Sequence, residues 1–432
     1  MKQINFLYCR FISFSKDIFK SIHQMTSSHL TSMSIGGLGG IYNFLFFVLL
    51  LLYCQPVLRA QQPSKVTVGA ECVSEYLPLL QSKRVAVLTN QTGRVGNENL
   101  VDFLHAKKIN IVCIFSPEHG FRGTADAGEH VLSSVDEKTG IPIRSLYDGD
   151  TGKPSDTVMK SIDILVFDLQ DVGLRFYTYL TTMVHMMDAC AANHVHLILL
   201  DRPNPNGHYV DGPVLDMKYR SGVGWIPVPV VHGMTLGELA GMVNGEKWLT
   251  NGAWCNLTVI KCKHYTHATL YELPVAPSPN LPNMRSVYLY PSLCYFEATP
   301  VSLGRGTDAP FQLYGHPDMT GYPFSFTPHS VTGAKSPPQL NRLCHGVDLR
   351  IQPANAALFS KGVDLSYLID AYDNLHLGDA FFGSFFENLI GVGYVRQMIE
   401  AGKSASEIKA HWKDDVLKFK QQRKPYLLYP EK

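Results

Sequence analysis

The sequence predicts an α/β fold, in which helices cover a mostly parallel sheet, followed by a smaller C-terminal α+β domain. The 432 residues are too many for one small module and suggest about two domains. From Lys83 onward, short apolar runs alternate with helical periodicity, and these runs are RVAVLT, INIVCIF, IDILVFDL and VHLILL. IDILVFDL and VHLILL lack strict alternation of apolar and polar residues, which is typical of strands buried on both faces.

Helices are expected between these strands. One is predicted near residues 97–107, and a longer one from about 178 to 193 carries an apolar stripe that should face the core. Another begins at Thr235, because Thr235-Leu-Gly-Glu238 matches a capping box.

The second half of the chain has a different character. Proline is frequent between Leu273 and Pro300, which predicts broken elements at a domain boundary or a rim of irregular loops. Beyond it come the strand-like HGVDLRIQ, a helix from about Leu365 and a terminal helix capped by Ser404. The predicted division is a leader at 1–60, a sheet domain at 65–290 and a C-terminal domain at 291–432 that completes a cleft.

Composition excludes several classes of function. Hydrophobic residues make up 45% and charged residues 17%, with a net charge of +1, so neither extended disorder nor a nucleic-acid-binding surface is favoured. The chain lacks C-x-x-C, H-E-x-x-H and G-x-S-x-G, and no G-x-G-x-x-G follows the first strand. We therefore expect no metal and no cofactor.

An apolar run near the start of the sequence predicts entry into the secretory pathway. Ile41 to Tyr53 is uncharged, has the length of a signal-peptide core and is short for a membrane span. Cleavage after Ala60 is the favoured interpretation, and an uncut signal anchor, which would be the protein's one membrane attachment, is the alternative. Translation from Met33 would give a leader of more ordinary length.

Cysteines and sequons add two expectations for a secreted chain. Seven cysteines remain after residue 60, and Cys255 and Cys262 are the one close pair that could form a disulfide. Asn90 and Asn256 both begin glycosylation sequons. Because Asn90 directly follows the first strand, we expect it to be enclosed and unmodified, and Asn256 to be the better acceptor.

In open parallel sheets, ligands bind beyond the carboxyl ends of the strands. The first strand leads into Asn90, Gln91 and Thr92, whose amide and hydroxyl groups suit an uncharged, polyhydroxylated ligand. A simple turn explains this loop equally well.

The loop after the second apolar strand is the strongest candidate site. Glu118 follows the strand directly, where a carboxyl group beside apolar side chains is suited to general-acid catalysis. The other candidates in this glycine-rich loop are His119, Arg122, Asp126 and Glu129. The competing interpretation is a carboxylate that pairs with Arg122 or caps a helix.

The remaining candidates come from later loops. Asp171, Arg175, Tyr177 and Tyr179 combine a carboxylate, a guanidinium and aromatic faces, which is a mixture that sugar sites use. Further binding candidates are His232, Asn283, Arg305 and Asp308, and Glu297 lies in the same later region. For His232 alone a structural role is favoured, because one histidine at a strand end has many ordinary uses.

Several motifs together resemble the DUF1343 family of exo-β-N-acetylmuramidase NamZ glycoside hydrolases. They are VLTNQTG, FSPEHGFRGTADAGE, SSVDEKTG, DLQDVGLRFYTY, LLDRPNP, HGMTLGELA, SPNLPNMRS, SLGRGTDAPF and RKPYLLY, in the order of the family and over about Val68 to Tyr429. The resemblance implies a Rossmann-like domain, a smaller C-terminal domain and an active cleft between them. It also implies release of terminal β-1,4-linked N-acetylmuramic acid (MurNAc) from peptidoglycan fragments.

By motif, the catalytic glutamate of the family corresponds to Glu118. Glu129, Asp171 and Asp126 remain candidates for the second catalytic group. Two alternatives are a secreted carbohydrate-binding protein without turnover and an N-acetylglucosaminidase of related mechanism. The carboxylates favour an enzyme, because a protein that only binds needs no proton donor at a reaction centre.

Overall fold

A seven-stranded sheet forms the centre of the N-terminal domain in the computed structural model, which describes residues 65–118, 120–121, 133–146, 152–351 and 362–432. In chain order the strands are β1 (Val85–Thr89), β2 (Arg94–Val95), β3 (Glu98–Asn99), β4 (Ile111–Ser116), β5 (Ser134–Val135), β6 (Pro142–Ser145), β7 (Ile164–Asp168), β8 (His196–Leu200), β9 (Asp211–Val214), β10 (Pro229–Val231), β11 (Leu257–Ile260), β12 (Leu313–His316), β13 (Phe324–Phe326) and β14 (Cys344–Asp348). The central sheet has the order β11-β8-β7-β1-β4-β6-β5, and every neighbouring pair is parallel except β5 and β6.

Helices pack around this sheet and build most of the C-terminal domain. They are α1 (Val73–Leu80), α2 (Leu100–Ala106), α3 (Asp156–Met159), α4 (Tyr179–Asn193), α5 (Leu236–Gly245), α6 (Met284–Leu293), α7 (Ser366–Leu375), α8 (Phe386–Ile390), α9 (Tyr394–Glu400) and α10 (Ala405–Gln422). The predicted α/β class, with a smaller C-terminal domain, is confirmed.

Both faces of the central strands are buried, as the continuous apolar runs predict. In β1, Ala86 and Leu88 belong to one hydrophobic cluster, and Val85 and Val87 belong to a second cluster on the opposite face. The first cluster continues into the C-terminal domain, where it includes Trp412. The two domains therefore share one core.

The sheet has a topological switch point between β1 and β7. The chain leaves β1 toward β4, whereas it leaves β7 in the other direction toward β8. Thr89 and Asp168, the last residues of β1 and β7, are register partners, so the loops that follow both strands begin side by side. A crevice at such a point is where open α/β sheets bind ligands.

The C-terminal domain contains the antiparallel sheet β12-β14-β13 and joins the first domain through α10. Asp211, at the start of β9, accepts hydrogen bonds from Trp412 Nε1 of α10 at 2.8 Å and from the backbone N–H of Val363 at 2.9 Å. Lys409 Nζ lies 2.5 Å from the same carboxylate.

A second buried network ties the C-terminal tail to the central sheet. Asp201, directly after β8, accepts hydrogen bonds from the hydroxyls of Tyr429 at 2.6 Å and Thr235 at 2.7 Å. Glu238 on α5 accepts one from the backbone N–H of Leu428 at 2.8 Å, and its Oε1 lies 3.0 Å from His267 Nε2. Each carboxylate thus binds the tail.

Two sequence expectations about helices were incomplete. The proline-rich stretch contains α6, which the frequency of proline did not predict. The helix forms because Asn283 caps its start and Pro291 lies near its end. Helix α4 carries more than one buried stripe, since Thr181, Thr182 and His185 are buried as well. The predicted domain division at 290/291 falls within α6.

The Cys255–Cys262 disulfide, which the sequence left as a possibility, is not formed. Within the described residues all seven cysteines are free and buried. Cys255 and Cys262 lie beyond opposite ends of β11, where Cys262 Sγ is 3.2 Å from the carbonyl oxygen of Asp201. The leader at 1–60 lies outside the described residues. Among the residues that are described, no helix has the length and apolarity needed to cross a membrane.

Candidate active site

A cavity of about 310 Å³ lies where the strand-end loops of the first domain meet the C-terminal domain. Glu118, Tyr177 and Thr178 line it from the first domain, and Glu297 and Arg305 line it from the second. Its volume falls at the lower end of the range for small-molecule sites. We call this cavity the cleft.

Glu118 enters the cleft from the turn after β4. Its Oε2 accepts a hydrogen bond of 2.5 Å from the hydroxyl of Thr178, which directly precedes α4. The carboxyl group is half-buried, so a ligand in the cleft can reach it. Two strand-end loops, which follow β4 and β7 on either side of β1, therefore hold one carboxylate between them.

An ion pair from the C-terminal domain forms another part of the wall. The guanidinium of Arg305 pairs with Glu297 and lies 5.3 Å from the ring centre of Phe311. Arg305 sits between Gly304 and Gly306, which have φ values of 84° and 82° that favour glycine. A guanidinium has five N–H donors, so pairing with one carboxylate leaves donors for a second anion.

Aromatic rings and amide groups complete the lining. Tyr177, Tyr290 and Phe311 offer rings, and Tyr290 lies 4.7 Å from Phe311 and 6.4 Å from Tyr177 between ring centres. Asn280, from the proline-rich loop, contributes a carboxamide. Rings and amides in one small cavity suit a ligand with both C–H faces and polar substituents, as sugars have.

The loop after β1 supports the cleft from behind. Asn90 is fully buried, donates a 2.6 Å hydrogen bond to the hydroxyl of Tyr179, and accepts one of 2.6 Å from the hydroxyl of Thr92. Gln91 Nε2 donates to the carbonyl oxygen of Ala276 at 3.2 Å. The expectation that Asn90 is enclosed is confirmed, and its hydrogen bonds go to neighbouring protein groups.

A buried ion pair lies beneath this loop. Arg202 Nε is 2.5 Å from Asp168 Oδ1, and Nη2 is 2.9 Å from Asp168 Oδ2. The same guanidinium donates to the carbonyl oxygen of Arg94 at 3.1 Å. Arg202 therefore joins the ends of β7 and β8 to the start of β2, which follows the loop that contains Asn90.

Asp171 lies behind the cleft wall and does not line the cavity. Burial raises its pKa to about 7, against the opposing effect of a 2.6 Å hydrogen bond from the backbone N–H of Gly173. Its Oδ1 is buried without a hydrogen-bond partner. Asp171 also lies close enough to Tyr177 to raise the pKa of that phenol, as burial and Tyr179 do more strongly.

Arg175 does not line the cleft, contrary to the sequence interpretation that made it a ligand-binding residue. Its side chain is fully buried and donates to three backbone carbonyls, those of Pro213 at 2.8 Å, Val228 at 3.2 Å and Leu389 at 2.8 Å. Burial lowers its pKa to about 10. The guanidinium holds the wall together from behind and is not placed to bind a substrate carboxylate.

Three further binding candidates lie away from the cleft. His232 is fully buried with its pKa lowered to about 3 by burial, and its Nδ1 accepts from the backbone N–H of Met234. Asn283 caps α6, where its side chain accepts a hydrogen bond from the backbone N–H of Ser286. Asp308 is exposed and lies 3.5 Å from Arg350. The burial of His232 agrees with the structural role favoured from the sequence, whereas Asn283 and Asp308 do not line the cleft, so their binding roles stay predictions.

The other candidates from the Glu118 loop are His119, Arg122, Asp126 and Glu129, and all four lie outside the described residues. Of the predicted set, Glu118, Tyr177 and Arg305 line the cleft. Sequence reasoning missed the positions of Thr178, Asn280 and Tyr290. Thr178 and Asn280 lie within the quoted FYTY and SPNLPN segments, whereas Tyr290 belongs to the unpredicted helix α6.

Within the part of the chain that the structure describes, no group of three or more His, Cys, Asp or Glu side chains has an arrangement that could hold a metal ion. The fold and the site together define an α/β protein of two domains, in which Glu118 from the first domain and Arg305 from the second line one cleft.

Family comparison agrees with this description. The chain belongs to the exo-β-N-acetylmuramidase NamZ family: the N-terminal family model matches residues 85–285 and the C-terminal one matches residues 288–429. The chain is 38% identical over 392 residues to the peptidoglycan β-N-acetylmuramidase NamZ of Bacillus subtilis (strain 168), covering 86% of this chain and 92% of that protein. The resemblance drawn from the motifs is confirmed.

Solved structures show the same fold. A DUF1343 family protein from Bacteroides fragilis NCTC 9343 matches with 60% identity and a TM-score of 0.80, covering 85% of this chain and all of that one. A second DUF1343 family protein from the same organism matches with 29% identity and a TM-score of 0.71, covering 84% of this chain and 99% of that one.

Proposed function

We propose that this chain is an exo-acting glycoside hydrolase that releases terminal β-1,4-linked MurNAc from peptidoglycan fragments, with Glu118 as its principal catalytic carboxylate. The observation that carries the proposal is the carboxylate of Glu118, which Thr178 holds in a cleft of about 310 Å³ that Arg305 also lines. A small cavity of this kind favours the end of a saccharide over its interior. The Bacillus relative supports the choice of substrate.

The chemistry would divide among the lining residues as follows. Glu118 would protonate the glycosidic oxygen as the bond to the leaving sugar breaks. Arg305 would bind the lactyl carboxylate, which distinguishes MurNAc from N-acetylglucosamine (GlcNAc). Tyr177 and Phe311 would pack against pyranose C–H groups.

A second carboxyl group would stabilise positive charge at the anomeric carbon or activate water. Of the sequence candidates, Asp171 lies within the described residues but behind the cleft wall, whereas Glu297 lines the cleft and pairs with Arg305. Asp126 and Glu129 remain candidates from the sequence.

Hydrolysis of paired chromogenic MurNAc and GlcNAc glycosides tests this proposal. We expect release of the chromophore from the MurNAc glycoside at a kcat/KM at least about tenfold higher than from the GlcNAc glycoside, the scale of one charge-assisted contact. Equal rates would favour an N-acetylglucosaminidase or an enzyme without MurNAc selectivity. Binding of both glycosides without release would favour a carbohydrate-binding protein.

We also propose that the protein is secreted after removal of its leader. The uncharged run from Ile41 to Tyr53 supports this proposal. Sequencing of the mature N-terminus from the culture medium should find Gln61 first. Retention of the full leader in a membrane fraction would instead support the signal-anchor alternative.

A further inference from the structure

A buried thiol holds the Glu297–Arg305 ion pair of the cleft wall from behind. Cys294 begins the short 3-10 helix Cys294–Ala298, which directly follows α6, and Glu297 lies three positions later in it. Residues three positions apart eclipse each other in a 3-10 helix, so the two side chains lie on one face. Cys294 Sγ accordingly donates a hydrogen bond to Glu297 Oε2 at 3.4 Å.

The thiol keeps its proton at this position. Cys294 is fully buried. Burial raises the pKa of its thiol well above the ordinary value, and the negative charge of Glu297 raises it further. The hydroxyl of Tyr290 donates a hydrogen bond to the same sulfur, so the thiol hydrogen stays available for Glu297.

The two oxygens of Glu297 have different partners. Oε1 pairs with Nη2 of Arg305, whereas Oε2 accepts from the thiol of Cys294. A carboxylate and a guanidinium otherwise favour a bidentate pair, in which two N–H donors bind two oxygens. Both side chains are largely enclosed, with 16% of Arg305 and 24% of Glu297 exposed, so water competes little with these contacts.

We infer that Cys294 is a positioning residue for substrate recognition: its thiol keeps Glu297 from pairing with Arg305 through both oxygens, and the guanidinium thereby retains N–H donors for the lactyl carboxylate. This inference rests on the proposed function, in which Arg305 binds that carboxylate. Without the thiol, Oε2 turns toward Arg305 and competes with the substrate. Cys294 therefore tunes the preference for MurNAc without touching the sugar.

Steady-state kinetics of the full chain with chromogenic MurNAc and GlcNAc glycosides test the inference. Cys294→Ala and Cys294→Val both remove the donor, and the valine also fills the space of the thiol. Cys294→Ser restores a donor at the same place. The matched control is Cys344→Ala, because Cys344 in β14 is equally buried in the same domain and its thiol donates to the carbonyl oxygen of Arg342 at 3.6 Å.

The two variants without a donor should raise KM for the MurNAc glycoside about threefold to tenfold, the scale of one hydrogen bond, and change kcat little. Their constants for the GlcNAc glycoside should stay within about twofold of those of the unmutated protein, because that sugar has no lactyl carboxylate. Cys294→Ser should restore the MurNAc preference, and Cys344→Ala should leave it unchanged. In an Arg305→Met background, Cys294→Ala should cause no further loss of preference, because the group on which it acts is absent.

Two results overturn the inference alone. One is a MurNAc preference that survives both Cys294→Ala and Cys294→Val in a selective enzyme. The other is an equal loss with both glycosides, which indicates a general effect of the substitution on folding. Equal kcat/KM for the two glycosides in the unmutated protein would instead reject the proposed MurNAc selectivity, and this inference with it.

Discussion

Replacement of Glu118 by glutamine separates the catalytic role of this residue from its structural one. The amide oxygen of glutamine can still accept the hydrogen bond that Thr178 Oγ1 now gives to Glu118 Oε2 at 2.5 Å. This hydrogen bond should therefore weaken only by the difference between a charged and a neutral acceptor, about 1 kcal/mol. Glutamine, however, cannot give a proton to the leaving oxygen.

The expected loss of turnover is much larger than the expected loss of stability. A positioned acid contributes about 100-fold or more to rate, which corresponds to about 2.7 kcal/mol of barrier at 25 °C. Turnover of the chromogenic MurNAc glycoside by Glu118→Gln should fall by at least this factor, while its melting temperature should shift by a few degrees at most. Binding of MurNAc should persist, because Arg305 and the aromatic wall are unchanged.

The control is Glu400→Gln, which removes an exposed carboxylate at the end of α9. This variant should retain full activity. Near-normal turnover by Glu118→Gln would remove Glu118 from catalysis. A loss of turnover together with a loss of the folded state would attribute the effect to stability.

Four further outcomes are expected. Arg305→Met should lower kcat/KM for the MurNAc glycoside about 10-fold to 100-fold and for the GlcNAc glycoside much less; equal losses would contradict its role in selectivity. Asp168→Asn should lower the unfolding free energy by about 3 kcal/mol or more in urea titrations, because it leaves Arg202 buried without its charged partner. A change below about 1 kcal/mol would contradict a stabilising role of this ion pair. Asp171 should hold a proton in the folded protein between about pH 4 and its pKa of about 7, so its contribution to the unfolding free energy falls as pH rises through this range. Asp171→Asn should therefore flatten the plot of urea midpoint against pH between about pH 4 and pH 7. An unchanged slope in this range would argue against a raised pKa of Asp171. Asn90 should carry no glycan in active protein from a glycosylating host, and an occupied site in peptide mass spectra would mean that its loop opens.

The sequence predicted the sheet well because its signal is local. Each central strand is a continuous apolar run, and burial on both faces needs no knowledge of distant residues. Helix α6 escaped prediction because proline frequency is a statistical signal, whereas the capping of the helix by Asn283 depends on one side chain. A Pro late in a helix removes few backbone hydrogen bonds, so α6 tolerates Pro291.

The site was predicted less completely, because burial and partners come from distant segments. Arg175 and Arg305 both follow glycines or loop residues in the sequence, yet one is enclosed and the other lines the cleft. The carbonyl groups that enclose Arg175 belong to residues as far away as Leu389, 214 positions along the chain. No local pattern can report a contact over that separation. Glu118 was found because the strand-end rule links position in the sheet directly to position in the site.

The bonds from Asp201 and Glu238 to the C-terminal tail have a consequence for biosynthesis. Tyr429 is 228 residues from Asp201, and Leu428 is 190 residues from Glu238. Until Leu428 and Tyr429 have left the ribosome, both carboxylates lack partners that they have in the folded protein. The N-terminal domain, although it is a unit in sequence comparisons, is therefore expected to reach its final stability only after residues 428 and 429 have been synthesised. A nascent chain of this family should consequently spend most of its synthesis in a state that chaperones and proteases can still recognise.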